Sequence, residues 1–404
     1  MKPVGPAADP GGFPLHVAIA CGGTGGHLFP GLAVAEELAE RDARVTLLVS
    51  AKEVDQQAVR QWDGGRVLTL PAVALQGGNL PGFLLASWRA TRVAAREFAP
   101  DPPDLVLAMG GFTSAPPVLA GQRRGALTFL HESNAIPGRA NRWLAQVVDA
   151  CFVGFPGAAE RLWHPRVLPT GTPVRRAFEP VDAAACRMAL GLRPDQPVLL
   201  VMGGSQGASG LNQLFLAALP VLAEAHPELQ FLHLTGPADL ETARPAYAGV
   251  RARSRVLPFF TEMELVLGAA TLAVSRAGAS SLAELAAMRL PAVLIPFPAA
   301  ADNHQFHNAE ALVRTGAARR LDQRATSPAG LARTVSELIS QPARRAEMAM
   351  ALIPWHAPQA AARMAGAMLD LARAHGRTGR PAPAPAPDGR PGREPGRRRL
   401  LEVS

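Results

Sequence analysis

A glycine-rich turn between an apolar, strand-like run and a helical segment occurs twice in this sequence. The first copy is LHVAIA followed by CGGTGGHLFPGLAVAEEL, and the second is VLLVM followed by GGSQGASGLNQLFLAAL from Gly203. Such a turn brings free N–H groups and the positive end of a helix dipole together, which favours phosphate binding. About 180 residues separate the copies, the length of one doubly wound domain. The repeat therefore predicts two domains of similar plan.

Apolar runs of strand type alternate with helical patterns along most of the chain. Examples are VTLLVS from Val45, ALTFLHE from Ala126 and TLAVSRAG from Thr271. Near-continuous apolar strands separated by helices are typical of parallel sheets covered on both faces. Proline and turn residues are dense around 169–180, which predicts a linker there. The predicted fold class is α/β, with two Rossmann-like, doubly wound parallel-sheet domains facing a cleft.

Neither glycine loop has the composition of a common nucleotide-binding motif. The first lacks the third glycine of a dinucleotide fingerprint, because Leu28 stands there, and neither carries the Lys-Ser/Thr pair of a P-loop. This argues against a dehydrogenase, a kinase and an ATPase. Two such loops at the carboxyl ends of facing sheets suit a transfer between two phosphate-bearing molecules. An ordinary β–α turn remains the alternative for either loop alone.

Composition bounds the class of protein further. The 404 residues are 48% hydrophobic and 18% charged, as expected for a soluble globular protein. The three cysteines, Cys21, Cys151 and Cys186, are far apart and odd in number, which predicts free thiols in a reducing compartment. No apolar leader or long uncharged apolar run occurs, so we expect no signal peptide and no membrane span. We also expect no metal and no other cofactor.

The formal net charge of +8 is unevenly distributed. Residues 376–404 hold seven arginines against Asp388, Glu394 and Glu402, so about half of the excess lies in this segment. It is rich in proline and glycine and poor in apolar residues, which predicts a disordered tail. Because no aromatic–basic platform accompanies the charge, we expect no nucleic-acid partner.

Six motifs follow one another in a recognisable order. They are GGTGGHLFPGLAVAEEL, HESNAIPGRANRWLA from His131, PTGTPVR from Pro169, GGSQGA from Gly203, SRAGASSLAEL from Ser275 and PFPAAADNHQFHNA from Pro296. Together they resemble the MurG family, bacterial enzymes that transfer N-acetylglucosamine to lipid I and so form lipid II for peptidoglycan synthesis. The resemblance runs from about Leu15 to Ala374, and HESN stands where the family usually has HEQN.

The resemblance implies a GT-B fold and a division of the chain. The implied parts are an N-terminal extension (1–14), an acceptor- and membrane-facing domain (15–168), a linker (169–180), a UDP-GlcNAc-binding domain (181–355), a helix crossing back to the first domain (359–375) and the tail (376–404). The implied reaction inverts the anomeric carbon of GlcNAc and forms a β-1,4 linkage to the C4 hydroxyl of MurNAc in lipid I.

The resemblance places the donor, UDP-GlcNAc, mainly on the second domain. Backbone N–H groups of 203–207, together with Ser205 and Gln206, are the implied contacts of the pyrophosphate. A second helix start is implied to meet the nucleotide, through Ala279, Ser280, Ser281 and Leu282. Glu284 follows about one turn later and suits a bidentate contact with the ribose hydroxyls, although a solvated helix carboxylate is its alternative.

Four further donor positions rest on the resemblance more than on their own chemistry. It implies that the backbone at Phe260 reads uracil and that Arg175 reaches the diphosphate. Gln305 is implied to bond GlcNAc hydroxyls, and Asn134 to support the sugar from across the cleft. An isolated arginine or amide in such loops is more often structural, so that alternative stays open for Arg175, Gln305 and Asn134.

The first glycine turn is implied to serve the acceptor. Thr24, Gly25 and Gly26 would form an anion site facing the pyrophosphate of lipid I. His27 is then the candidate general base for the acceptor hydroxyl, since an unperturbed imidazole titrates near neutral pH. The competing interpretation is that His27 only caps or orients the loop, and Glu132 is the alternative base.

A membrane contact is expected because the implied acceptor is lipid-linked. NLPGFLLASWRATRVAAREF from Asn79 predicts a helix with one apolar arc, Leu80, Phe83, Leu84 and Trp88, beside Arg89, Arg92 and Arg96. Such a helix can lie on an anionic bilayer surface, and packing on its own sheet is the alternative. We expect peripheral attachment to the cytoplasmic face of the inner membrane.

Two other functions remain open from sequence. One is a GT-B transferase that uses a different UDP-sugar or a different lipid acceptor. The other is a non-enzymatic nucleotide-sugar sensor that kept the fold. The combination of His27, Glu284 and Gln305 disfavours the sensor, because a sensor needs no acceptor-side base.

Overall fold

The computed structural model describes residues 13–71, 80–204 and 207–380. The predicted donor residues Ser205 and Gln206 lie outside the described residues, as does the side chain of Leu80. Most of the predicted N-terminal extension and most of the predicted tail also lie outside them. The described parts of the extension and the tail are in contact: Phe13 and Gly379 form an isolated antiparallel bridge. The described chain therefore continues a few residues into both predicted extensions.

The first lobe is built on a seven-stranded sheet in which neighbouring strands are parallel. The strands are β1 (His16–Ala20), β2 (Arg44–Ser50), β3 (Gly65–Leu70), β4 (Leu105–Ala108), β5 (Leu127–Glu132), β6 (Ala150–Val153) and β7 (Val167–Pro169). Their order is β3-β2-β1-β4-β5-β6-β7, so the winding reverses between β1 and β4. Ligands of doubly wound sheets bind beyond the carboxyl ends at such a reversal, and the first glycine turn follows β1 there.

The second lobe repeats this plan with six parallel strands. They are β8 (Val198–Met202), β9 (Gln230–Leu234), β10 (Ser254–Leu257), β11 (Leu272–Ser275), β12 (Ala292–Leu294) and β13 (Ala318–Arg320). The order β10-β9-β8-β11-β12-β13 reverses between β8 and β11, directly beside the second glycine turn. The predicted α/β class with two parallel-sheet domains is confirmed.

One strand of the first sheet extends across a predicted domain boundary. β7 ends at Pro169, one residue past the predicted end of the first domain at 168. Pro169 pairs with Val153 at the edge of the sheet. An edge strand tolerates proline because the missing N–H is not needed by a further neighbour.

Helices cover both faces of each sheet. In the first lobe they are α1 (Gly25–Ala39), α2 (Glu53–Ala58), α3 (Leu80–Glu97), α4 (Ala115–Gln122) and α5 (Arg139–Leu144). The helices that follow are α6 (Ala183–Ala189), α7 (Ser209–Ala225), α8 (Leu240–Ala248), α9 (Met263–Ala269), α10 (Ala279–Ala287), α11 (His304–Arg314), α12 (Pro328–Ser340), α13 (Pro342–Leu352) and α14 (Ala360–Ala374). Helix α7 illustrates the pattern, since Leu211, Phe215 and Leu222 are buried at helical spacing.

The chain passes between the lobes twice, and the two passages touch. Helix α14 returns to the first lobe and buries Met364 and Met368 in the core that α1 also lines. Before it, Ala357 packs against Gly171 in the linker, where a Cβ would lie 2.2 Å from the Ala357 Cβ. Gly171 also has a φ of +86°. Both the close approach of Ala357 and this backbone conformation therefore require glycine.

Two further expectations concern the cysteines and the membrane. Cys21, Cys151 and Cys186 are free and buried. Within residues 13–71, 80–204 and 207–380, no helix combines the length and hydropathy needed to cross a bilayer.

Candidate active site

The starts of α1 and α10 face each other across the cleft between the lobes. Helix α1 begins after Thr24 and α10 begins after Gly278, and neither start has a side-chain capping hydrogen bond. A Cβ on Gly26 would lie 3.7 Å from Ser280 Oγ, so the two predicted anion sites are brought together. Uncapped helix N-termini present unpaired N–H groups and positive partial charge, which suits a diphosphate.

The glycines of the first turn have two different reasons to be glycine. A Cβ on Gly22 would lie 2.4 Å from the backbone nitrogen of Ser50, so β2 excludes any side chain there. Gly23 has a φ of +117° and donates its N–H to Asp55 Oδ2 at 2.7 Å, while Lys52 Nζ donates to its carbonyl oxygen at 2.6 Å. Internal packing therefore accounts for Gly22, whereas Gly25 and Gly26 form the start of α1, where Gly25 is buried and Gly26 is half-buried.

The second glycine turn is similar. A Cβ on Gly203 would lie 2.5 Å from the Ala208 Cβ, and one on Gly207 would lie 2.5 Å from the Thr235 carbonyl oxygen. Gly204 also has positive φ, but no described atom lies within 4 Å of where its Cβ would be. The open side of this turn is thus at Gly204, next to the predicted pyrophosphate contacts.

His27 lies in the first turn of α1, and its ring lies against two further glycines, Gly110 and Gly111. Cβ atoms on Gly110 and Gly111 would each lie 3.1 Å from the ring, at Nε2 and Cε1 respectively. On the other side, His27 Nδ1 lies 3.3 Å from Thr24 Oγ1. The residue as a whole is half-buried. A side chain at either glycine would crowd the imidazole and would also have to adopt a positive φ.

The pKa of His27 differs from the sequence-based expectation. Burial lowers the pKa to about 4; the charges of His304 and Lys52 also lower it, and Asp55 raises it. The expectation of a near-neutral pKa was wrong, because sequence does not reveal desolvation. The imidazole is therefore neutral at physiological pH, which is the form that accepts a proton.

Glu132, the alternative base, already accepts four hydrogen bonds. Oε1 accepts from the N–H of Asn134 at 2.8 Å and from Asn134 Nδ2 at 3.0 Å. Oε2 accepts from the N–H of Gly138 at 2.9 Å and from Asn141 Nδ2 at 2.8 Å. A carboxylate has about four lone-pair sites, so this buried group has none left for a substrate hydroxyl.

Glu284 and Arg175 interact at the cleft, together with a third residue, Glu264, that the sequence analysis did not single out. Arg175 Nη2 lies 3.6 Å from Glu264 Oε2, and its guanidinium stands 5.2 Å from each of the ring centroids of Phe29 and Phe178. Burial raises the pKa of Glu284 to about 7; Arg175 lowers it and Glu264 raises it. Two carboxylates thus share one arginine.

Two amide side chains, Asn308 and Asn134, connect the lobes, and a third, Gln305, is bonded within the second lobe. Gln305 Oε1 accepts from the N–H of Phe297 at 2.9 Å and from the N–H of Ala277 at 3.3 Å. Asn308, one turn later on α11, donates to Asn134 Oδ1 at 3.0 Å across the cleft. Asn134 and Gln305 are therefore held by protein groups.

Comparison with known proteins gives the family. Residues 17–153 match the glycosyltransferase family 28 N-terminal domain, and residues 198–364 match its C-terminal domain. A protein of Anaeromyxobacter dehalogenans is 37% identical over 89% of this chain and 94% of its own length. One of Acidithiobacillus ferrooxidans is 39% identical over 88% and 98%. Both are named UDP-N-acetylglucosamine–N-acetylmuramyl-(pentapeptide) pyrophosphoryl-undecaprenol N-acetylglucosamine transferase. This chain belongs to the MurG family.

The fold agrees with that membership. The crystal structure of Acinetobacter baumannii MurG is 28% identical and superposes with a TM-score of 0.67, covering 88% of this chain and all of that one. The MurG-family chain described here is thus a glycosyltransferase with a GT-B fold, as the resemblance implied.

Some site residues could not be found from the motifs alone. Asp55 and Glu264 lie outside all six, and their role is visible only from their contacts with Gly23 and Arg175. Asn308 lies inside PFPAAADNHQFHNA, so its motif was a usable signal that the sequence analysis did not follow. Phe260 follows β10 and is half-buried against the second-lobe core.

Proposed function

We propose that this chain transfers N-acetylglucosamine from UDP-GlcNAc to the C4 hydroxyl of MurNAc in lipid I and so forms lipid II. The names of the relatives that are 37–39% identical support the substrates. The observation that carries the chemistry is the meeting of two uncapped helix starts at one cleft, with His27 on one side and Glu284 on the other.

In the proposed mechanism the first lobe prepares the acceptor. The N–H groups at Thr24, Gly25 and Gly26 face the pyrophosphate of lipid I. Neutral His27 takes the proton of the MurNAc C4 hydroxyl as its oxygen attacks the anomeric carbon of GlcNAc. The bond from that carbon to the UDP oxygen breaks on the opposite face, so the configuration inverts and UDP leaves with the bonding electron pair.

The second lobe holds the donor and stabilises the leaving group. The start of α10, with Ala279, Ser280, Ser281 and Leu282, and the second glycine turn, with Ser205 and Gln206, meet the charge that develops on UDP. Arg175 contributes its unused guanidinium donors, of which Nε is buried without a hydrogen bond among the described residues. Glu284 accepts from the ribose hydroxyls, and the backbone at Phe260 reads uracil.

The sugar end of the donor meets the amide groups between the lobes. Gln305 uses its oxygen internally, so its Nε2 group is the one available to a GlcNAc hydroxyl. Asn134 supports the same region from the first lobe. The division into an acceptor domain (15–168), a linker (169–180) and a donor domain (181–355) follows from these assignments.

An assay of the purified chain tests the reaction. With labelled UDP-GlcNAc and a lipid I analogue, we expect label in a product of lipid II size and release of UDP. UDP-glucose and an acceptor without MurNAc are the controls. Transfer from another UDP-sugar instead would indicate a different GT-B transferase, and tight UDP-GlcNAc binding without turnover would indicate a sensor.

The chain also meets a membrane surface in this proposal, through α3. Leu84, Leu85 and Trp88 are 58%, 47% and 54% exposed, while Ala90 and Ala94 on the same helix are buried. The guanidinium of Arg92 lies 4.7 Å from the Trp88 ring centroid. The predicted arc is corrected at Phe83, which turns inward and packs edge-on against Phe112 at 5.1 Å. An apolar arc beside arginines suits the anionic cytoplasmic face of the inner membrane.

Replacing Leu84, Leu85 and Trp88 together by serine should lower the partition of the protein onto anionic vesicles by at least about tenfold, because three apolar side chains lose their burial in the interface. Sedimentation with vesicles measures this, and UDP binding should not change. The matched control replaces three similarly exposed apolar residues outside the first-lobe sheet, Met188, Val221 and Met350. Equal loss in both variants would contradict a specific contact through α3.

A further inference from the structure

A chain of hydrogen bonds crosses from the second lobe into the first and ends at the turn beside His27. It starts at Asn308, which is completely buried on α11. Asn308 donates to the Ala277 carbonyl oxygen at 3.1 Å on its own lobe. Across the cleft it donates to Asn134 Oδ1 at 3.0 Å and accepts from the N–H of Ala135 at 2.8 Å. One amide thus holds loops from both lobes.

The chain continues through Glu132 to the start of α5. Asn134 donates to Glu132 Oε1 through both its main-chain and side-chain nitrogens. The other carboxylate oxygen accepts from Asn141 Nδ2 at 2.8 Å. Asn141 Oδ1 then accepts from the N–H of Gly111 at 3.2 Å. Every link is formed by a described residue, and Glu132 and Asn141 are buried.

The last link bears on the position of His27. The φ values of Gly110 and Gly111 are +114° and +77°, and the two residues form the wall against the imidazole ring. A flexible glycine pair holds such a conformation only if its surroundings fix it. Asn141 supplies that restraint at Gly111, and Asn141 is itself oriented by Glu132.

We propose that Asn308, Asn134, Glu132 and Asn141 form a positioning relay that sets the wall beside His27 when the lobes engage, so that Glu132 orients the base and does not replace it. This inference deepens the proposed function and rests on it for the role of His27. It also names Asn308 as a residue of the donor lobe that acts on the acceptor side.

The proposed relay predicts that mutations in it change the exposure of His27 to water and therefore its pKa. The charged and titratable groups that interact with the ring are Asp55, Lys52 and His131 from the first lobe and His304 from the same helix as Asn308. The largest influence on its pKa is burial. If the relay is broken, the 110–111 wall loosens, water enters and the imidazolium form becomes less costly. The pKa of His27 then rises from about 4 towards 6.5, the usual value.

The test is an NMR titration of the His27 ring in the full chain, with the signal assigned by its loss in His27→Gln. Asn308→Ala and the nearly isosteric Glu132→Gln should each raise the pKa of His27 by a unit or more while UDP binding shows that the protein is folded. The control is Arg142→Gln, which breaks the ion pair with Asp302 across the cleft, at 3.0 Å, and leaves the relay intact. An unchanged pKa in both relay variants, or an equal rise in Arg142→Gln, would overturn the proposal.

Turnover gives a second readout. Both relay variants should lower kcat by about tenfold or more, and Glu132→Gln should keep an acidic limb in its pH–rate profile, moved to higher pH. Loss of that limb in Glu132→Gln would make Glu132 the base and refute the relay. If the wild-type chain transfers no GlcNAc at all, the proposed function fails, whereas the titration still decides whether the relay positions His27.

Discussion

Replacing His27 by glutamine lowers kcat by about 10²- to 10⁴-fold, the usual contribution of a general base. The affinity for UDP should stay nearly unchanged, because the proposed donor contacts are on the other lobe. Steady-state kinetics with a lipid I analogue, together with calorimetry of UDP binding, measure the two quantities.

The pH dependence separates a base from a loop-orienting residue. Protonated His27 cannot accept the acceptor proton, so kcat/KM of the wild-type enzyme should fall as the pH drops through the pKa of His27, about 4. In His27→Gln this acidic limb should disappear. Thr24→Val is the comparison, because it removes the hydroxyl near Nδ1 and keeps the imidazole, and its acidic limb should persist. An acidic limb that stays at the same pKa in His27→Gln would show that another group is the base.

Replacing Glu284 by alanine should weaken UDP binding by about 10- to 150-fold, or about 1.5 to 3 kcal/mol, the scale of hydrogen bonds to a charged group. Calorimetry with UDP measures the change. Glu337→Ala is the control, since Glu337 is an exposed carboxylate on α12 of the same lobe. Unchanged UDP affinity in a folded Glu284→Ala protein would remove the ribose assignment.

This prediction also has a pH component. Burial raises the pKa of the free Glu284 carboxyl to about 7, and the ionised form is the better acceptor for ribose hydroxyls. Wild-type affinity for UDP should therefore fall as the pH drops below about 7, since the carboxyl must first lose a proton. Glu284→Ala should lose this dependence. A wild-type affinity for UDP that does not change between about pH 5 and 8 would contradict this predicted pH dependence.

Sequence alone determined the architecture and predicted where the site lies. The buried parallel strand β8 consists of uninterrupted apolar residues, β1 does so after His16, and each is followed by a glycine turn and a helix. These signals are local, because they depend on hydrophobic periodicity and on backbone freedom at glycine. Strands whose residues are not uniformly buried, such as β3 and β13, gave no such signal, since the exposed or charged residues in them hide the pattern.

Tertiary structure decided how the site residues are used. The hydrogen bond from Asn308 to Asn134 joins residues 174 positions apart, and no local pattern specifies such a pair. Burial lowers the pKa of His27, and the glycines that lie against its ring, Gly110 and Gly111, come from another part of the chain. Sequence offered Glu132 as the alternative base, and only the structure shows that its carboxylate accepts four hydrogen bonds from the protein. Hydrogen-bond satisfaction and desolvation are properties of the assembled lobes, so they are set only when distant segments pack together.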